Sequence, residues 1–154
     1  MLSQIIYSSK AMQPMDSKEL ERILIDARIG NEARDVTGAL VYVSGVFLQV
    51  LEGERVVLDE LLASIRNDGR HESMKVFHDA EIADRAFNEW RMAYLSSDIE
   101  DMARWAGLEG TESIDELLDQ VHRDEQRVPR ILVSIVNAIA TRSNSERAKN
   151  SAAQ

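Results

Sequence analysis

The 154-residue chain contains no cysteine, which removes disulfide staples, thiolate metal sites, cysteine nucleophiles and thiol redox switching together. Histidine is scarce. His71, His78 and His122 are scattered, and no two have the spacing that sets a pair of imidazoles on one helical turn, so a histidine metal site is not expected. No apolar run approaches the roughly 18–20 residues that span a bilayer, and no basic-then-apolar signal opens the chain. The expectation is a cytoplasmic protein with no membrane association. Positive charge is also in deficit: 18 Lys and Arg against 27 Asp and Glu leave a net charge of −9. That balance opposes a phosphate backbone and makes direct nucleic-acid binding a poor expectation.

What is present suffices for one core. The chain is 44% hydrophobic and 29% charged, a composition that folds, and its length suits a single domain with a short appendage. The acidity is uneven: residues 98–125 hold ten carboxylates with only Arg104 and Arg123 opposing them, whereas 127–149 hold five basic residues and only Glu146. This shift predicts a core over 1–96, a helical appendage over 97–142 and a flexible tail over 143–154.

Residues 2–9 have strand composition. Asp16 and Glu19 have capping-box spacing, and Leu20, Ile23, Leu24 and Ala27 recur at helical intervals up to Gly30, which predicts a helix with Gly30 as its C-cap. Residues 37–44 and 46–52 read as a tight antiparallel hairpin around Gly45. Leu58, Leu61, Leu62 and Ile65 mark a second amphipathic helix ending near Asp68 and Gly69. Two further strands are expected near 73–82 and 88–96. The order is β-α-β-β-α-β with an extra strand: an α+β, ferredoxin-like core with two helices on one face of its sheet. The opposite face needs cover. Helices beginning at the Ser113–Glu116 capping box, ahead of Ile114, Leu117, Leu118 and Val121, and at Pro129, ahead of Ile131, Leu132, Ile135, Val136 and Ile139, are the candidates, on this face or on a second protomer.

Several polar residues fall where apolar ones are expected. Gln49 shares a strand face with Phe47 and Leu51, so its amide is buried whichever way the strand turns. A buried amide needs partners, and a satisfied core glutamine is the plain alternative to a functional one. Tyr7 lies inside the first strand, and Asn31 falls on nearly the same helical face as Leu20, where a helix cap is the alternative to a ligand contact. Trp90 and Met92, two apart, are expected on one face of the last strand.

These residues sit in ordered motifs: IIYSS around Tyr7, NEARDVTGALVY from Asn31, FLQVLEGE around Gln49, NDGRH at the end of the second helix, and WRM from Trp90. Over about residues 1–96 the chain resembles the BLUF family, blue-light receptors that bind flavin. The resemblance implies a ferredoxin-like core holding FAD, with FMN or riboflavin as alternatives, between its two helices. It makes Tyr7 the photochemical electron donor and Gln49 the switching amide, and it gives Asn31 a hydrogen bond to the polar edge of the isoalloxazine. Ile23 and Leu24 on the first helix, and Leu62 and Ile65 on the second, become candidate walls of the ring slot. Arg70 and His71 match a position near the ribityl or phosphate end, and Trp90 and Met92 match the pair associated with signal output. The family pattern has a polar residue just before the position of Asn31, where this chain has Gly30. Arg28, on the same helical turn, is the candidate replacement.

The resemblance implies a sensor and not an enzyme. Light drives electron and proton transfer from Tyr7 toward flavin, and what persists is a rearranged Gln49 hydrogen-bond network. An amide suits that task because it carries both an acceptor and donors, and rotation or tautomerisation exchanges what it offers. Short members of the family self-associate and regulate a separate protein, so a homo-oligomer and a downstream effector are expected, with the signal leaving through the C-terminal helices or the oligomeric state. The competing reading is a light-independent ferredoxin-like ligand-binding or oligomerisation module, which would be colourless.

Overall fold

The computed structural model describes residues 1–12, 15–96, 98–108, 113–124 and 126–152. In chain order the elements are β1 (Leu2–Ala11), α1 (Ser17–Arg34), β2 (Thr37–Val43), β3 (Val46–Glu54), α2 (Arg55–Arg66), β4 (His71–Glu81), β5 (Ala93–Ser96), α3 (Ile99–Ala106), α4 (Ile114–Arg123) and α5 (Arg127–Ala152). The strands form one five-stranded sheet in the order β4-β1-β3-β2-β5. Every neighbouring pair is antiparallel except β2 with β5. This is the ferredoxin-like order with one strand added at the β2 edge.

Alternation along the strands divides the apolar residues between two layers. Ile5, Tyr7, Leu40, Phe47 and Leu51 pack beneath Leu24 of α1 and Leu58 and Leu61 of α2, forming the front core. Ile6, Val41, Val43, Leu48 and Val50 face the other way and join Leu117 and Val121 of α4 and Val128, Ile131, Ile135 and Ile139 of α5. The appendage therefore covers the back of its own sheet. An extra short helix, α3, contributes Met102, Ala103 and Ala106 to the same back core. Its start is set by Asp98, which accepts from the Asp101 amide at 2.8 Å. Ser113 likewise accepts from the Glu116 amide, at 3.2 Å, as its spacing predicts; the Ile114 side chain and the expected tail over 143–154 lie outside the described side chains.

Three local expectations are corrected. First, α1 runs through Gly30 and stops a turn later. Asp35 there adopts the left-handed conformation (φ 55°), and its N–H closes on the carbonyls of Asn31 and Glu32. An interior glycine costs only about 1 kcal/mol against alanine, too little to end a helix that has better caps on both sides; at the other end Asp16 accepts from the Glu19 amide at 2.8 Å. Second, the β2–β3 hairpin turns on two residues, Ser44 and Gly45, both at positive φ (48° and 81°), the geometry that matches strand twist in a two-residue loop. Third, the last strand is only four residues long, so Trp90 and Met92 precede it. They do not share a face: Met92 belongs to the front core, whereas Trp90 packs on the back one.

Residues 82–92 pass from one layer to the other because Glu52 anchors them. This fully buried carboxylate accepts from Gln4 Nε2 (2.9 Å), Thr37 Oγ1 (3.2 Å) and the amides of Ala86 and Phe87 (2.8 Å each). Arg85 adds bonds to the Glu52 carbonyl (3.0 Å) and the Asp35 carbonyl (2.8 Å). A carboxylate with this many donors is compensated for its loss of water. Phe87, held in place this way, is completely buried on the back side.

Candidate functional site

Between α1 and α2, above the front of the sheet, lies a cavity of about 230 Å³. Ile23 and Ala27 of α1 form one apolar wall, Leu61 and Ile65 of α2 the other, and Leu40 and Phe47 part of the floor. Three polar side chains sit in this apolar setting: Tyr7, Gln49 and Asn31, all buried.

Register explains the first pair. Tyr7 and Gln49 are direct partners across β1 and β3, so their side chains leave the sheet on the same face, a few ångströms apart. The Tyr7 hydroxyl donates to Gln49 Oε1. Gln49 Nε2 in turn points at Met92 Sδ, 3.6 Å away, a weak acceptor. The amide thus meets a hydroxyl donor on one side and a weak sulfur acceptor on the other. Burial pushes the Tyr7 phenol well above its ordinary pKa, and the nearby Asp68 carboxylate adds to the rise. Tyr7 stays a neutral donor through the physiological range.

Asn31 is placed by the last turn of α1. Its Nδ2 donates to the Arg91 carbonyl at 2.6 Å. One turn earlier, Arg28 Nε donates to the Met92 carbonyl at 3.0 Å. Two side chains of one helix therefore fasten the backbone at 91–92, directly beside the sulfur that meets Gln49. Past α2, His71 Nε2 lies 2.7 Å from the Ile65 carbonyl, which makes that nitrogen the protonated one in a neutral ring. Its Nδ1 is buried and unpaired. Arg70 is occupied by Asp68, with Nε bonded to both carboxylate oxygens at 2.9 and 3.0 Å, and by Asp26 at 3.8 Å. The Arg70 hydrogen bond holds the Asp68 carboxyl below the usual carboxylate range, against the opposing effect of burial.

Of the side chains singled out in the sequence, Tyr7, Gln49, Asn31, Ile23, Ile65, Arg70 and His71 line this cavity. Leu24 and Leu62 instead pack into the front core beside it. Arg28 lines a separate cleft with Trp90 and Met92. Sequence reading passed over Arg34, which lines the cavity beside Gly30, and it passed over Glu52. The signal for Glu52 was present: strand alternation puts it on the face of Leu48 and Val50, where a lone carboxylate demands donors.

Residues 2–93 match the family model described as sensors of blue-light using FAD. The chain belongs to the BLUF family. Among curated BLUF relatives, the photoactivated adenylate cyclase subunit beta of Euglena longa is 34% identical over 99 residues, which is 64% of this chain and 12% of that protein. The subunit alpha of Euglena gracilis is 37% identical over 86 residues, 56% of this chain and 8% of that protein. The chain thus spans about an eighth or less of the length of these relatives. Among solved structures, the BLUF protein BlrB in its dark state has the same fold (TM-score 0.72, 24% identity, 89% of this chain and 96% of that one). BlsA in its ground state superposes with a TM-score of 0.64 at 26% identity, over 79% of this chain and 85% of that one. Family membership makes this chain a flavin-based sensor of blue light, its sensor module occupying residues 2–93.

The BLUF cavity fits a flavin on its own chemistry. Two apolar helix faces suit the faces of a flat ring system, and donors and acceptors gather at the floor and at one end of the slot. The unpaired, buried His71 Nδ1 is an acceptor still awaiting a donor. Among the described residues, no helix is long and apolar enough to cross a membrane.

Proposed function

We propose that this chain is a cytoplasmic blue-light photoreceptor that holds FAD between α1 and α2, catalyses no turnover itself, and signals to a separate effector protein as a homo-oligomer. The observation that carries this reading is the Tyr7–Gln49–Met92 line of contacts on the cavity floor. When bound, the flavin supplies an oxidant that becomes strong only after absorbing blue light. Tyr7 is the electron donor: it is buried, protonated and already bonded to Gln49. Gln49 carries the proton that accompanies the electron, and both return to Tyr7, so nothing is consumed. What outlasts the return is the orientation of the Gln49 amide. Reversing it exchanges donor for acceptor at Tyr7 and at Met92, and in a dry site each mismatch is worth about 1–3 kcal/mol. Asn31 would hold the polar edge of the ring, Ile23 and Ile65 would flank it, and His71 and Arg70 would hold the remainder of the cofactor.

Output follows the covalent chain from Met92 back to Trp90, two residues away and on the other side of the sheet. A change at Gln49 on the front is thereby presented to the helices on the back. The test is the visible absorption of protein purified in the dark, taken before and just after a blue flash. A flavin spectrum that shifts reversibly to longer wavelength is expected. Protein that remains colourless after incubation with riboflavin, FMN and FAD would overturn the reading. Sedimentation in dark and light tests the oligomer, and monomer alone in both would refute that part.

A further inference from the structure

Gly30 lies in the interior of α1, where glycine is the least favourable residue after proline. No turn and no positive φ calls for it there. Its effect is on space. A Cβ built at position 30 would come within 2.8 Å of Arg34 Nη1, the far end of a flexible and exposed side chain, so the guanidinium would have to shift to clear it. Arg34 is four residues on, and helical side chains lean toward the N-terminus, onto the preceding turn. The guanidinium therefore lies over the bare backbone of Gly30, and both residues line the cavity. Gly30 is also the chain neighbour of Asn31, the buried amide at the same wall.

The two arginines on the cavity are not equivalent. Arg70 is engaged by Asp68 and Asp26. Arg34 has no hydrogen bond or ion pair among the described residues. A guanidinium is a flat, permanently charged fork of donors, suited to stacking on an aromatic face and to bonding paired acceptors.

We propose that Arg34 is a flavin-binding residue that donates to the carbonyl-bearing edge of the ring beside Asn31, and that Gly30 exists to give it room. This rests on the reading that the cavity holds flavin. Arg34 supplies, from one turn further along α1, the polar contact that position 30 itself lacks.

The test titrates the apoprotein with riboflavin, FMN and FAD, following flavin fluorescence, in wild type, Arg34→Ala, Gly30→Ala and the double variant. Losing a charged donor is expected to weaken all three flavins by about 10-fold or more, riboflavin as much as the phosphorylated forms. Gly30→Ala is expected to weaken binding by less than Arg34→Ala, because the flexible guanidinium shifts to clear the methyl, while the apoprotein melts at an unchanged or higher temperature because the helix is improved. The double variant should bind no more weakly than the weaker single one. Unchanged affinity in Arg34→Ala overturns the proposal. A loss confined to FMN and FAD overturns the ring-edge assignment, since only the phosphate would then be bound. Additive losses overturn the role of Gly30. Wild type that binds none of the three flavins defeats the underlying reading instead, a distinguishable result.

Discussion

The two faces of the sheet are built to different ends. On the back, β-strand residues and three helices close into one apolar core in which Leu117 and Ile135 are fully buried. On the front, two helices stand apart around a cavity, and an amide and a phenol occupy positions that alternation would assign to leucine or valine. Native interiors are normally packed like crystals, so a slot between two helices with a buried phenol and amide on its floor sets the front apart from an apolar core. Stability resides mainly behind the sheet and chemistry in front of it. The 82–92 segment belongs to both.

That division can be broken at its seam first. Glu52→Ala would leave two backbone amides and two side chains without their acceptor, and a loss of about 3–5 kcal/mol is expected. Urea denaturation measures it. A change below about 1 kcal/mol would mean that the segment is held by Arg85 and Phe87 instead. On the back, Ile135→Ala should cost about 2–5 kcal/mol through the cavity it leaves, while the flash-induced spectral shift of the folded fraction keeps its size. A reduced shift would show that the faces are not separable.

Front substitutions should do the reverse. Tyr7→Phe removes one hydrogen bond and Gln49→Ala removes that bond and the weak one to Met92, so each is expected to cost only about 1–3 kcal/mol. Both should nevertheless abolish the reversible flash response with flavin still bound. A normal shift in Gln49→Ala would remove the amide from the switch, and full photocycling in Tyr7→Phe would remove the phenol as donor.

The smallest effect concerns His122 on the back. Its ring stands edge-on to Phe77 with centroids 4.9 Å apart, and Nε2 is buried without a partner. Burial lowers its pKa below the ordinary value, Lys75 lowers it further, and Asp119 partly opposes them. The unfolded state thus binds the proton more readily. Stability should fall as pH drops below about 6.5, the unfolded value, until the folded imidazole also titrates. Melting temperatures at pH 7 and pH 5 should differ less in His122→Gln than in wild type.

Much of this was legible from strand period and cap chemistry. The alternation in VFLQVLE placed Gln49 with Phe47 and Leu51, and Asp16 marked the start of α1, because both signals are local. The end of α1 was not legible. Gly30 resembles a cap in sequence, and only its distance to Arg34 reveals a steric purpose. Trp90 and Met92 were misread as strand neighbours for a related reason: spacing of two implies a shared face only inside a strand, and Glu52, 35 residues away from Phe87, ends the strand geometry before it reaches them. The cleft that Arg28 lines was not legible either, because helical spacing says which residues are near a site, not which acceptor a long side chain finds.

The place of β1 in the sheet also bears on how the site comes into being. It is the first strand made, yet its neighbours are β3 and β4, and Tyr7 meets Gln49 only across a separation of 42 residues. Closing such long loops is entropically slow. The cavity nevertheless draws its whole lining from residues 7–71, so floor and both walls are present once α2 and the start of β4 have been made. Assembly of the cavity is therefore coupled to closure of the β1–β3 pair and not to the C-terminal helices, which line none of it.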